Sequence, residues 1–203
     1  MDILISFVLA VSLLAISPGP DNIFVLMQSV VHGKKYGIST IIGLMSGCLV
    51  HTTFVAFGVS TIIKENNTIF LVIKLLGAFY LGYLSYRVFK SDATITMTTQ
   101  NIQKKTPFQL FKMGFMMNVL NPKVTIFFLA LFPGFLFSNE LSTVVQFYVL
   151  GGVFILVSFV IFSIIALLGG SISERIQQNK QIGIWLKWMQ IIVFIGIALF
   201  ILI

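Results

Sequence analysis

Two short polar segments interrupt long apolar stretches of this sequence. The first covers residues 17–22 and reads SPGPDN, and the second covers residues 118–123 and reads NVLNPK. In each segment a residue type that commonly caps helices, Ser17 or Asn121, stands directly before a proline, which predicts that a new helix begins there. The start of a helix presents free N–H groups and a partial positive charge. Each break therefore predicts a site that would suit a carboxylate.

Asp21 lies in the first break, where a charged side chain is costly. Apolar sequence extends on both sides, so a spanning helix would hold the carboxylate near the middle of a membrane, at a cost on the order of 3 kcal/mol. Charged groups in that position are usually functional or paired, and we expect Asp21 to bind substrate and to exchange a proton. A second interpretation is that Asp21 caps the helix that follows, and the two roles are compatible.

Lys123 lies in the second break and offers the opposite charge. It could pair with Asp21, bind a substrate carboxylate, or extend along its aliphatic stem to the membrane surface. Asn118, Asn121 and Thr125 share one face of the same segment, at spacings of three and four residues. These polar side chains predict that the second break also contributes to a binding site.

A polar face continues from Asp21 along the same segment. Gln28 and His32 follow it at helical spacings and could line a path to the cytoplasm. The alternative for His32, which precedes Lys34 and Lys35, is a residue of the membrane interface.

His51 lies on nearly the same helix face as Gly43 and Gly47. Small residues at this spacing let two helices approach closely, which indicates a packing role for the glycines. His51 could relay protons or only fill space in that contact. The glycines could also form the surface of a homodimer, and the single cysteine, Cys48, would then allow cross-linking.

The composition predicts the environment of these residues. Of 203 residues, 58% are hydrophobic and 9% are charged, which is typical of an integral membrane protein. The net charge of +7 comes from short basic clusters between apolar segments, so it indicates membrane topology and not nucleic-acid binding. The sequence has no phosphate-binding loop, hydrolase nucleophile motif or metalloprotease motif, and one cysteine cannot form a disulfide. We therefore expect no enzymatic activity, no cofactor and no metal.

Six apolar segments are long enough to cross a membrane, at residues 3–31, 38–63, 68–88, 108–137, 142–168 and 184–203. No basic region precedes the first, so we expect a transmembrane helix there rather than a cleaved signal peptide. The positive-inside rule places both termini outside, because the loops after the first, third and fifth segments are the basic ones. Their basic residues are Lys34, Lys35, Arg87, Lys90, Lys104, Lys105, Lys112, Arg175, Lys180 and Lys187.

The polar, threonine-rich segment 89–107 divides these spans into two sets of three. We expect a first half at residues 1–88, a cytoplasmic linker, and a second half at residues 108–203. Because three is odd, the halves would cross the membrane in opposite directions, and each would begin with a broken span. Such breaks are typical of the central site of secondary transporters. The predicted fold is an all-α membrane protein of six transmembrane helices in two inverted three-helix repeats, with spans 1 and 4 broken at mid-membrane.

Four segments, spread over nearly the whole chain, read SPGPDNIFVL, GKKYGISTIIGLMSGCLVH, LLGAFYLGYLSYRVFK and GFMMNVLNPKVTIFFLALFPGF. In this order they resemble the lysine exporter (LysE/RhtB) family of bacterial amino-acid efflux proteins. The resemblance implies a secondary exporter of the bacterial inner membrane, driven by the proton gradient or another ion gradient. The family's hallmark elements fall on Pro18, Gly19, Pro20, Asn121, Pro122 and Lys123. The resemblance does not specify which amino acid is exported.

The residues and the resemblance lead to one predicted function, an amino-acid exporter whose site lies at the two breaks. We expect Asp21 to bind the substrate's ammonium group, and Lys123 and the helix starts to bind its carboxylate. The predicted substrate-binding residues are Pro18, Gly19, Pro20, Asp21, Asn22, Asn118, Asn121, Pro122 and Lys123, and the predicted proton-coupling residues are Asp21 and His51. The alternatives are a passive channel and a transporter of another small solute or a cation, while a structural scaffold would leave both breaks unexplained.

Overall fold

The computed structural model describes residues 2–92, 105–171 and 180–202, and most of these residues are helical. The helices are α1 (Asp2–Ile16), α2 (Pro20–His32), α3 (Lys34–Phe54), α4 (Ser60–Glu65), α5 (Asn67–Lys90), α6 (Pro107–Val119), α7 (Pro122–Ile126), α8 (Thr143–Leu167) and α9 (Lys180–Leu202). A π-helical turn (Val55–Val59) joins α3 to α4, and a second one (Phe127–Leu131) extends α7. Most of the predicted linker at 89–107, and Arg175 of the third basic loop, lie outside the described residues.

Both predicted breaks are sharp bends between two helices. The helix axis bends by 61° between α1 and α2, and by 50° between α6 and the segment Pro122–Phe135. Four other helical segments are each long and apolar enough to cross a membrane: Lys34–Ile62, Thr68–Lys90, Thr143–Leu167 and Gln181–Leu202. The described part of the chain therefore offers four spans, or up to six if each bent pair is one span.

The first break differs from its prediction by two residues. Ser17 is not the N-cap of α2, because its N–H still donates to the carbonyl of Leu13 at 3.0 Å, in the last turn of α1. α2 begins at Pro20, and its N-cap is Gly19 in an extended conformation, with φ −158° and ψ 175°. A proline disfavours the helical conformation of the residue before it, so Pro20 keeps Gly19 extended. The predicted helix start at Pro18 is therefore wrong, because the second proline determines it.

The second break begins as predicted. Asn121 is the N-cap of α7, and its side-chain oxygen accepts a hydrogen bond from the N–H of Lys123 at 3.0 Å. Pro122 occupies the first helical position, where it loses no hydrogen bond. The hydroxyl of Thr125 donates to the carbonyl of Asn121 at 3.1 Å, so this part of the predicted polar face stabilises the helix itself.

The helices of the two predicted halves pack mainly across each other. α3 packs along α6, α5 packs along α9, and α8 packs against α1, α2 and α3. A group of phenylalanines with no more than 1% exposed surface forms the core: Phe7, Phe127, Phe128, Phe132, Phe147 and Phe194. This arrangement holds the two breaks next to each other in the interior.

Two glycines let α3 and α6 approach closely. A Cβ atom on Gly43 would collide with the backbone of Phe111 in α6. In the same way, a Cβ atom on Gly114 would collide with the backbone of Thr40 in α3. Neither backbone could move without disturbing the contact between the helices, so glycine is required on both sides of this crossing.

The glycines of α3 therefore serve contacts within the chain. Gly47 lies against the side chain of Asn118, one turn after the contact of Gly43 with α6. Their predicted packing role is confirmed, and they are not available as a homodimer surface. Cys48 has no exposed surface, so it is not a position for cross-linking two copies.

Candidate functional site

A cavity of about 40 Å³ lies where the two breaks meet. Its polar lining consists of Asp21, Asn22, Asn118, Lys123 and Ser158. The rest of its lining comes from Cys48 and from apolar side chains of α1, α3, α7 and α8. Four of the predicted substrate-binding residues are thus brought together, two from each break.

A hydrogen bond joins the two breaks directly. The side-chain amide of Asn121 donates to the Oδ2 atom of Asp21 at 2.9 Å. The oxygen of the same amide caps α7 by accepting from Lys123 N–H. Asn121 therefore fixes the start of one half-helix and the carboxylate on the first turn of the other. Asp21 lies in the first turn of α2, where the helix dipole also favours its negative charge.

Lys123 brings a positive charge to the same cavity. It interacts electrostatically with the Asp21 carboxylate across the two breaks. Its ammonium nitrogen lies 5.1 Å from the centroid of the Phe194 ring, a distance typical of cation–π contacts. A Cβ atom on Gly19 would lie 3.6 Å from this nitrogen, an ordinary contact distance, so the ammonium lies directly beside the first break. Of the predicted roles, extension of Lys123 to the membrane surface is not observed.

Asn22 stabilises the bend of the first span. Its side-chain amide donates to the carbonyl oxygen of Ala15 at 2.7 Å. That carbonyl lies in the last turn of α1, where the break removes the usual helical donor. Asn22 therefore satisfies a backbone group that the break would otherwise leave without a partner, while its side chain also lines the cavity.

His51 is connected to the site through Asn118. Its Nε2 atom donates to the backbone carbonyl of Asn118 at 3.1 Å, and its ring lies 5.5 Å from the ring of Phe128. The side-chain amide of Asn118 in turn donates to the sulfur of Cys48 at 3.4 Å. His51 itself does not line the cavity. Its predicted role in proton coupling stays a prediction, with Asn118 as the connection to the site.

Gln28 and His32 lie next to each other on α2, as their helical spacing predicts. Their Oε1 and Nδ1 atoms are 3.1 Å apart, and Gln28 is buried. Neither side chain lines the cavity around Asp21. The path to the cytoplasm that they could line stays a prediction.

Pro18, Pro20 and Pro122 contribute to the site through the backbone. None of the three lines the cavity. Pro20 and Pro122 determine where α2 and α7 begin, and Pro18 lies in the bend between α1 and α2. Cys48 of α3, which the predicted site did not include, also lines the cavity, where its sulfur accepts from the side-chain amide of Asn118. The predicted site did not include α8 either, from which Phe154, Ser158 and Phe162 line the cavity at intervals of four residues.

The chemistry of the cavity is that of a charge-paired binding site. Asp21 and Lys123 supply one negative and one positive group, and the other polar groups are uncharged. Among the described residues, no three His, Cys, Asp or Glu side chains come together as a metal site would require. The cavity thus offers one group of each charge, which would suit a small solute that carries both charges.

Comparison with known proteins relates the chain to amino-acid efflux proteins. The family described as LysE type translocator matches residues 12–203. The homoserine/homoserine lactone efflux protein of Salmonella typhimurium is 30% identical over 176 residues, which cover 87% of this chain and 84% of that protein. The leucine efflux protein of Salmonella choleraesuis is 30% identical over 167 residues, which cover 82% of this chain and 78% of that protein. No solved structure matches the chain.

These relatives are transporters and not enzymes, in agreement with the motifs that the sequence lacks. The family match and the long apolar helices together make this a multi-pass membrane protein with a transport function. The family resemblance of the four sequence segments is confirmed over nearly the whole chain. The chain belongs to the LysE family of translocators.

Proposed function

We propose that the protein is a secondary active exporter of amino acids in the bacterial cell membrane, coupled to the proton gradient. The observation that carries this proposal is the hydrogen bond from Asn121 to Asp21 inside a cavity that also holds Lys123. A negative group, a positive group and the starts of two helices therefore meet at this cavity. The names of the relatives, which mention homoserine, its lactone and leucine, support an amino-acid substrate.

The charges of the cavity match the two ends of an amino acid. Asp21 would bind the substrate's ammonium group. This group would then replace the side-chain amide of Asn121 as the hydrogen-bond donor to the Asp21 carboxylate. Lys123 and the N-terminus of α2 would bind the substrate's carboxylate. Each charge on the protein then has an opposite charge on the substrate, which a buried site needs because unpaired charges are costly there.

Proton coupling follows from the position of Asp21. A carboxylate away from water is stable when it is paired or protonated, so substrate and proton compete for it. Protonation on the outside would release the substrate, and loss of the proton on the inside would restore the site. His51 would exchange protons with the site through water that enters the open cavity, because the amide groups of Asn118, which it contacts, cannot carry a proton themselves.

Alternating access would come from movement of one half against the other. The two halves, 1–88 and 108–203, would be inverted repeats joined by the linker 89–107, with both termini outside. α3 of the first half packs against α6 of the second half, and α8 of the second half packs against α1 and α2 of the first. A two-fold relation between the halves would produce this exchange of partners.

The size of the cavity also supports a conformational cycle. A volume of about 40 Å³ holds only a few water molecules and is too small for an amino acid. The halves must therefore separate to admit a substrate. The bond between Asp21 and Asn121 crosses that boundary and would break as they do.

The test is uptake of radiolabelled amino acids into everted vesicles from expressing cells, with and without a proton gradient. We expect saturable, gradient-dependent uptake that Asp21→Asn abolishes. Asp92→Asn is the matched control, because it is the same substitution at an exposed position after α5. Flux that does not saturate or ignores the gradient would indicate a passive channel, and no transport of any amino acid would contradict the proposal.

A further inference from the structure

One face of α8 forms a wall of the cavity. Phe154, Ser158 and Phe162 follow one another at intervals of four residues and all line it. Ser158 has only 1% of its surface exposed, and its hydroxyl has no hydrogen-bond partner within the described residues. A buried hydroxyl without a partner costs stability, so its presence in the cavity wall calls for a physical reason.

Several other hydroxyls in the helices of this protein avoid that cost. They donate to the carbonyl one turn earlier, as in Ser12 to Val8, Ser46 to Ile42, Thr52 to Cys48 and Thr53 to Leu49. Ser158 could make the same bond to the carbonyl of Phe154, because the geometry is general in helices. It does not, and its hydroxyl is left without a partner in the wall of the cavity.

Three more buried hydroxyls have no partner, but they differ from Ser158 in position. Ser17, Ser29 and Ser163 do not line the cavity, whereas Ser158 does. Ser158 is therefore the one such hydroxyl, within the part of the chain that the structure describes, that a bound solute could satisfy.

The charges of the cavity limit what that solute can be. Asp21 and Lys123 are its charged lining groups, and an amino acid uses one for each end of its backbone. No further charge lines the cavity to neutralise an acidic or basic side chain. The part of the wall that α8 forms is apolar except for Ser158, so it suits a short uncharged side chain.

We propose that Ser158 is a specificity-determining residue, which forms a hydrogen bond to an uncharged polar group, such as a hydroxyl, on the side chain of the exported amino acid. This inference rests on the proposed function and adds the substrate class, a neutral amino acid with a short hydroxyl-bearing side chain. Phe154 and Phe162 lie on either side of Ser158 and shield the bond from water. A site that forms such a bond discriminates against an analogue that lacks the group, because the protein's own hydroxyl is then left without a partner.

Threonine and valine provide the sharpest test, because they have nearly the same shape and differ in the hydroxyl. We would measure kcat/KM for both amino acids, and for lysine, with purified protein in liposomes. The wild type should prefer threonine over valine by about tenfold, the effect of one buried hydrogen bond. Ser158→Ala should reduce this ratio to about one while valine transport continues.

Ser163→Ala is the matched control, because it removes another unpartnered hydroxyl of α8 that does not line the cavity. It should keep the wild-type ratio. An unchanged ratio in Ser158→Ala would overturn the proposal, as would lysine transport as efficient as that of threonine. The wild-type comparison needs no variant, so equal transport of threonine and valine by the wild type would also overturn it. These results leave the proposed function standing, whereas absence of transport for every amino acid would contradict both.

Discussion

The side-chain amide of Asn121 donates a hydrogen bond of 2.9 Å to the carboxylate of Asp21, a residue 100 positions earlier in the chain. The same side chain caps α7 through the N–H of Lys123. One amide thus serves both breaks, and its two roles can be separated by substitution.

Asn121→Ser should separate them. Serine is a good N-cap, so α7 should be retained, but its side chain is too short to hold Asp21. We expect a stable protein whose amino-acid transport falls by about tenfold, the effect of a hydrogen bond to a charged group. Asn66→Ser is the control, because Asn66 caps α5 by accepting from the N–H of Ile69 and lies far from the cavity lining. Wild-type transport in Asn121→Ser would show that the bond to Asp21 has no functional role.

Lys123→Met should weaken substrate binding. The ammonium group of Lys123 is the positive charge of the cavity, and loss of a charged contact raises KM by about 10- to 100-fold. Lys112→Met is a close control, since the exposed Lys112 also makes a cation–π contact, 4.7 Å from the ring of Phe108. We would measure KM for amino-acid transport by both variants in liposomes. An unchanged KM in Lys123→Met would remove Lys123 from the site.

Cys48 should report on the opening of the cavity. It is the single cysteine of the chain, lines the cavity and has no exposed surface. We expect slow labelling by a maleimide, because the reagent needs the cavity to open, and slower labelling when a transported amino acid occupies it. As a control, Asn139→Cys in a Cys48→Ala background places the thiol at an exposed position in the loop before α8. Its labelling rate should not depend on substrate, and equal substrate sensitivity at both positions would contradict this prediction.

Gly43→Ala should destabilise the protein at the crossing of α3 and α6. The added methyl group would collide with the backbone of Phe111, and such overpacking costs about 2 kcal/mol. Gly152→Ala in α8 is the control, because no atom lies within 4 Å of the added methyl group. It should raise stability by about 0.5–1 kcal/mol, since alanine favours a helix. Thermal unfolding of the purified variants measures both, and equal midpoints would mean that the crossing tolerates a larger residue.

Local sequence patterns predicted the elements of the fold well. The bends at both breaks and the cap at Asn121 depend on prolines and capping residues that can be read directly. Ser17 was misassigned because two prolines compete there, and the second one, Pro20, prevents a helix from starting earlier. Apolar length predicted the helices that could span a membrane, since that requirement is also local.

The partners inside the site could not be predicted in the same way. Sequence reasoning considered a pair between Asp21 and Lys123, but the direct hydrogen bond to Asp21 comes from Asn121. From sequence alone, either Asn121 or Lys123 could reach Asp21. The result depends on the positions of α2 and α7, which are set by contacts between distant segments. The contribution of Ser158 depends on the rotation of α8 about its axis, which a helix that is apolar almost all round does not reveal.

The central claim is that substrate and proton compete for Asp21, and proton release on binding tests it most directly. Titration calorimetry of a transported amino acid, in buffers of different ionisation enthalpy, gives the number of protons released. We expect release of up to about one proton per substrate in the wild type and in Asp92→Asn, and none in Asp21→Asn. Binding to the wild type without proton release, or unchanged release in Asp21→Asn, would contradict the account.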